Sequence, residues 1–160
     1  MCCASNKNTM IKVGIYISEI NVIEGASFGI AKHTIGMINA LKQEDDFEII
    51  LFGSYEIREN PSFLFKNFKF YSLPYKTRML ELMWKIFHRP IVDKFLPNID
   101  VLYVPGEELV PSSKYKIFHT IHDVYHLDED KWQLKIKLLK FSYRTYLQKV
   151  YKILTVSNYS

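Results

Sequence analysis

The sequence predicts an α/β chain built on a doubly wound, mostly parallel sheet, and two observations carry that expectation. Short apolar runs rich in β-branched residues, IKVGIYI at Ile11–Ile17 and FEIILFG at Phe47–Gly53, have the continuous hydrophobicity of strands buried on both faces. Longer segments between such runs repeat their apolar residues at helical spacing, and strands that alternate with helices assemble as parallel sheets covered on both sides.

Each element follows in order. After the first strand comes a loop marked by Gly25 and Gly29, then an amphipathic helix from Ile30 to Lys42 with Ile30, Thr34, Met37, Ile38 and Leu41 on one side. The second strand gives way to a stretch, Ser54 to Lys66, that reads as irregular. A third strand begins at Phe68 and is ended by Pro74. Thr77 to Phe87 is helical, and Pro90 forces a break beyond it. Asp100–Val104 and Tyr115–Ile121 read as strands, Lys131–Lys149 as a long helix and Tyr151–Val156 as a last strand. Right-handed connections between such strands give a Rossmann-like sheet.

Composition narrows the class. The chain has 160 residues, enough for one domain with a substantial core, and 48% of them are hydrophobic against 24% charged, which is ordinary globular usage. A net charge of +4 admits an anionic ligand or membrane surface but is too small to argue for nucleic acid. Its two cysteines, Cys2 and Cys3, are adjacent and can neither pair readily nor cage a metal, which suits a reducing compartment. They are acylation candidates as well as part of a plain leader. Residues 1–10 read as that leader and 11–160 as one domain. No signal-peptide pattern precedes the first strand and no apolar run approaches the ~20 residues of a bilayer span, so a soluble cytoplasmic protein is expected.

Ligands of open parallel sheets bind beyond the carboxyl ends of the strands, and three loops there carry unusual residues. In EGASFGIAKHT, residues 24–34, the glycines permit tight turns, and the helix start near Gly29 aims free N–H groups and a positive dipole end at an anion, with Lys32 and His33 in the first turn. The pattern is not G-x-G-x-x-G, so an ordinary dinucleotide site is weakly supported, and the glycines also fit a reading as simple turn residues. In VPGEELVP, residues 104–111, Glu107 and Glu108 are candidate acceptor contacts, with a solvated loop as the competing reading. In HTIHDVYH, residues 119–126, strand alternation puts His119 and Ile121 on one face and Thr120 and His122 on the other. His122 then stands at the strand end with Asp123 beside it, able to meet a hydroxyl or a developing charge. His119 reads as a packed strand residue. Three histidines in eight residues raise zinc, but neither cysteines nor an H-x-x-x-H pair on a helix supports it, and no metal is expected.

Taken together, the G-I-A-K-H-T helix start, E-I-I-L-F-G, D-V-L-Y-V-P, T-I-H-D-V and I-L-T-V-S-N-Y-S resemble the N-terminal domain of glycosyltransferase family 4, along nearly the whole chain. The resemblance implies a retaining transfer of sugar from a nucleotide-sugar donor to a glycan or lipid-linked acceptor, within the two-domain GT-B fold, without a metal or resident cofactor. It implies that Gly29, Ile30, Ala31 and Lys32 approach the donor diphosphate, that His122 contacts the reacting sugar with Asp123 in support, and that Ser157–Ser160 lead to a second, donor-binding domain not contained in this chain. Family members often have Gly-Ile-Gly-Arg where this chain has Gly29-Ile30-Ala31-Lys32. A non-catalytic Rossmann-like module that binds a nucleotide or a partner is the alternative; a flavodoxin-like domain is disfavoured because no acidic cluster or Ser/Thr-rich phosphate loop follows the first strand.

The stretch Lys131–Lys152 has seven Lys or Arg residues and no acid. At helical spacing Trp132, Ile136, Leu139, Tyr143, Leu147 and Val150 form one apolar face and Leu134, Leu138 and Phe141 a second stripe, flanked by Lys135, Lys137, Lys140 and Arg144. Peripheral docking on the inner membrane face, contact with another domain or subunit, and a solvated basic face all fit this pattern.

Overall fold

A computed structural model describes residues 10–18, 29–59, 67–122 and 134–156, with the side chains of 58, 59 and 134–139 excepted. The elements are β1 (Ile11–Tyr16), α1 (Gly29–Lys42), β2 (Phe47–Ser54), α2 (Tyr55–Glu59), β3 (Lys69–Leu73), α3 (Thr77–Phe87), a 3₁₀ turn (Val92–Lys94), β4 (Val101–Val104), β5 (Lys116–Ile121), α4 (Leu134–Leu147) and β6 (Lys152–Thr155). The six strands form one sheet in the order β3-β2-β1-β4-β5-β6, and all five pairings are parallel. The chain is therefore a doubly wound, Rossmann-like α/β domain, with a wholly parallel sheet where a mostly parallel one was expected.

The alternation of side chains across each strand divides the core in two. Tyr16, Ile50, Phe52, Leu102, Val104 and Ile117 face α3 and α4, where they meet Leu80, Trp84, Tyr143 and Tyr146. Val13, Ile15, Leu51 and Tyr103 turn to the other side and pack with Ile38 of α1. The Tyr16 ring sits edge-on to Trp84 with centroids 5.2 Å apart, tying β1 to α3. Gly53 is required where it stands, because a Cβ there would lie 2.5 Å from the Ile17 carbonyl oxygen, which is fixed in the backbone.

Most expected boundaries differ from the observed ones by one or two residues. One stretch is corrected: residues 55–59, expected to be irregular, are the short helix α2. Five residues are too few for a helical period to show in the sequence, and the helix is held from outside by the Glu56 carboxylate, which accepts the Thr77 backbone N–H at 2.8 Å. α3 spans Thr77–Phe87 as expected, and its end is closed before Pro90 is reached: His88 adopts a left-handed conformation (φ 50°) and donates its N–H to the Trp84 carbonyl. Cys2, Cys3, Gly25, Asp123, Trp132 and Ser157–Ser160 lie outside the described residues, as do the side chains of Leu134, Lys135, Ile136, Lys137, Leu138 and Leu139.

Candidate functional site at the carboxyl edge of the sheet

The strand order reverses between β1 and β4, which run side by side with Ile15 paired to both Leu51 and Tyr103. α1, the element after β1, packs on one face of the sheet, while Leu109 and Val110 beyond β4 join the core on the other, so a crevice lies at the carboxyl ends of these two strands, the place where ligands of such sheets bind. The residues that gather there come from α1, β4 and β5.

On the α1 face, the His33 ring meets the His122 ring edge-on at 5.2 Å between centroids. His33 Nε2 also hydrogen-bonds the Tyr103 hydroxyl at 2.8 Å, and that hydroxyl bonds Thr120 Oγ1 at 2.9 Å. Burial, followed by the neighbouring His122, lowers the His33 pKa, so the ring is held toward its neutral form. Burial raises the Tyr103 pKa, with the Thr120 hydrogen bond opposing it. His122 Nε2 lies 2.7 Å from the Pro105 carbonyl oxygen. A carbonyl can only accept, so Nε2 carries the hydrogen and donates it; Nδ1 is the atom through which His122 would act.

The start of α1 is beside this pair. Ala31 and Thr34 are buried against the sheet, Lys32 is exposed, and a Cβ placed on Gly29 would meet nothing within 4 Å. Space is open at the helix start, and packing by the described residues does not call for a glycine there.

Glu107 and Glu108 part company. Glu107 is exposed, whereas the Glu108 Oε2 is buried although part of the residue reaches the surface, so the solvated-loop reading is corrected for Glu108. Burial pushes its carboxyl up to about 7; its own backbone amide and Ser18 act the other way, Glu81 adds to the rise and Lys85 opposes it. Ser18 favours the charged form by proximity, yet among the described residues neither Ser18 Oγ nor Glu108 Oε2 has a partner at hydrogen-bond geometry. Gly106 makes room for this carboxyl, since a Cβ there would collide with Glu108 Oε2. On the same face His119 is fully buried, as expected, with Nδ1 3.3 Å from the Tyr146 hydroxyl and Nε2 without a partner among the described residues. Burial, then the nearby His122, lowers its pKa to about 4, and burial raises that of Tyr146.

The structure thus brings Gly29–Lys32 and His122 to one side of the crevice and carries Glu108 to the other face of the sheet. The 105–108 segment joins them, through the Pro105 carbonyl at one end and the Glu108 carboxyl at the other. Tyr103, Thr120 and Ser18 belong to this edge and were not singled out in the sequence. Tyr103 and Thr120 look like core strand residues in a linear reading, and only the adjacency of β4 and β5 turns them into one hydrogen-bonded chain with His33. Among the described residues no group of three or more His, Cys, Asp or Glu is arranged to hold a metal. No protein-family model, curated protein or solved structure matches this chain.

Proposed function

We propose that this chain is the acceptor-side domain of a retaining glycosyltransferase of the family 4 type, acting on a nucleotide-sugar donor and a glycan or lipid-linked acceptor. The observation that carries the reading is the meeting of His122 with the first turns of α1 at the crevice between β1 and β4. In such a transfer the bond from the sugar's anomeric carbon to the diphosphate breaks, the acceptor oxygen bonds to that carbon on the same face, and the acceptor proton passes to the departing phosphate. The protein's share is positioning and stabilisation of the leaving charge. The N-terminal N–H groups of α1, with Lys32, would face the diphosphate, His122 would meet a sugar hydroxyl through Nδ1, and Asp123 would support it. Glu107, exposed at the same loop, would be the carboxylate able to meet a hydroxylated acceptor, whereas the Glu108 carboxyl is buried on the other face of the sheet.

A second reading, a nucleotide- or partner-binding module without transfer, is favoured by Ala31. It stands where the family often has glycine and is buried, so the backbone of α1 is less open at that turn. The two readings are separated by incubating the complete protein with a panel of nucleotide sugars and with glycan and lipid-linked acceptors. Product formation that is lost in His122→Ala supports transfer; nucleotide binding without product supports the module.

A further inference from the structure

We propose that the seam between α3 and α4 docks on the surface of a lipid bilayer rich in anionic headgroups. A helix that covers a sheet needs one apolar face, and α3 has it: Thr77, Leu80 and Trp84 are buried at i, i+3 and i+7. The opposite side of the same helix is apolar too. Met79, Leu82 and Ile86 repeat the i, i+3, i+7 spacing and are 51%, 58% and 54% exposed, and Phe87 at the helix end is 67% exposed. Among the described residues these four are not part of either core cluster, and large apolar side chains clustered in water mark a contact surface.

The patch continues onto α4. Ser142 bonds the Lys85 carbonyl and lies 3.1 Å from His88 Nε2, which seats α4 on the last turn of α3. The residues on either side of that junction, Ile86 and Phe87 on α3 and Phe141 on α4, are exposed, Phe141 by 71%. Beside Phe141, an open groove of about 470 Å³ is lined by Lys140, Tyr143, Arg144, Leu147 and Gln148, with an aromatic and an aliphatic side chain between two cations.

Charge decides what covers the patch. Arg78, Lys85, Arg89, Arg144 and Lys149 are exposed around it. Glu81, the acid of α3, is only partly exposed, whereas these five cations are exposed. Apolar side chains ringed by cations suit the boundary between acyl chains and anionic headgroups, where the rings and aliphatic groups insert and the cations pair with phosphate. No helix among the described residues is long and apolar enough to cross a membrane, so the contact lies on the surface. Among the described side chains of the patch, Met79, Leu82, Ile86 and Phe87 come from α3 and Phe141 from α4, whereas the sequence pointed to the basic helix at 131–152. This inference does not depend on whether the chain transfers sugar.

The test is co-sedimentation of the whole protein with phosphatidylcholine vesicles, with and without phosphatidylglycerol, at low and high salt. Wild type should partition onto the phosphatidylglycerol vesicles at low salt and lose most of that binding in high salt or on phosphatidylcholine alone. Leu82→Ser/Ile86→Ser, and separately Arg78→Glu/Arg144→Glu, should each lower the partition by about tenfold or more. The substituted side chains are exposed, so circular dichroism should report an unchanged fold. Binding that survives both double substitutions, or that is equal on neutral vesicles, would overturn the proposal. So would a wild-type dimer in light scattering that Leu82→Ser/Ile86→Ser dissolves, since the patch would then join two copies of the chain.

Discussion

His33 and His122, 89 positions apart in the chain, meet edge-on with ring centroids 5.2 Å apart. Both are anchored at the end of β4: His33 through the Tyr103 hydroxyl, His122 through the Pro105 carbonyl just beyond the strand. The end of β4 therefore sets the position of both rings, which stand together on the α1 side of the crevice.

Replacing His122 tests whether this geometry serves chemistry. His122 is only partly buried, and His122→Ala should leave the unfolding midpoint close to wild type. Turnover of the complete protein should fall on the order of 10²–10⁴-fold, the usual contribution of a positioned acid–base or hydrogen-bonding group. Steady-state kinetics beside a urea melt separates the outcomes: normal turnover, or failure to fold, would mark a structural histidine.

The Tyr103 hydroxyl is the link between His33 and Thr120. Tyr103→Phe removes it while keeping the ring, leaving two polar side chains short of a partner at a cost of about 1–3 kcal/mol. The His33 ring should lose its fixed orientation, and the ring resonances of both histidines should shift in a proton–nitrogen NMR spectrum. Unchanged His122 resonances would show that the two rings are independent.

The strands were legible in the sequence because a strand covered on both faces has no polar alternation, so Ile11–Ile17 and Phe47–Gly53 could hardly be anything else. The histidine at the end of β5 was legible for a similar reason, since alternation along HTIH separates His119 from His122. What could not be read is whatever depends on the order of strands. His33, Tyr103 and Thr120 become neighbours only because β1, β4 and β5 are consecutive in the sheet. Nor could Glu108 be told from Glu107, because two adjacent loop carboxylates differ only in which way the chain turns them.

If the resemblance to a two-domain transferase holds, the 160 residues alone should fold cooperatively and yet form no product. Half of a cleft leaves a diphosphate in water, where each charged contact is weak. Weak nucleotide binding at the start of α1 should survive and be visible as shifts of the Gly29–His33 amides. Robust sugar transfer by the purified 160-residue chain would show that no second domain is needed.

Gly53→Ala should be costly. The added methyl would meet the Ile17 carbonyl oxygen, which also belongs to the backbone at the end of β1, so relief requires the strands to part. Overpacking of this kind typically costs about 1–3 kcal/mol. Denaturant unfolding should show that loss, and a fully wild-type midpoint would mean that β1 and β2 separate more easily at this edge than their close approach implies.

Glu108 and His119 give stability an unusual dependence on pH. The folded Glu108 carboxyl titrates near 7 against an ordinary 4.5, so its burial carries no penalty below 4.5, and stability is lost as pH rises from there to 7, by up to about 3 kcal/mol. His119 behaves in the opposite sense. Its folded pKa is about 4 against 6.5, so its contribution is complete above 6.5 and is lost as pH falls toward 4. Between 4.5 and 6.5 the folded protein holds a proton on Glu108 that the unfolded chain releases, and lacks one on His119 that the unfolded chain takes up. The two slopes cancel there. Glu108→Gln removes the first of them. The variant should match wild type near pH 4, exceed it by about 1–3 kcal/mol near pH 8, and fall more steeply than wild type from 6.5 downward. His33 and His88, whose pKa values burial also lowers, add to that fall. Urea unfolding at a series of pH values measures each part, and a variant that runs parallel to wild type from pH 4 to 8 would mean that the Glu108 carboxyl reaches water.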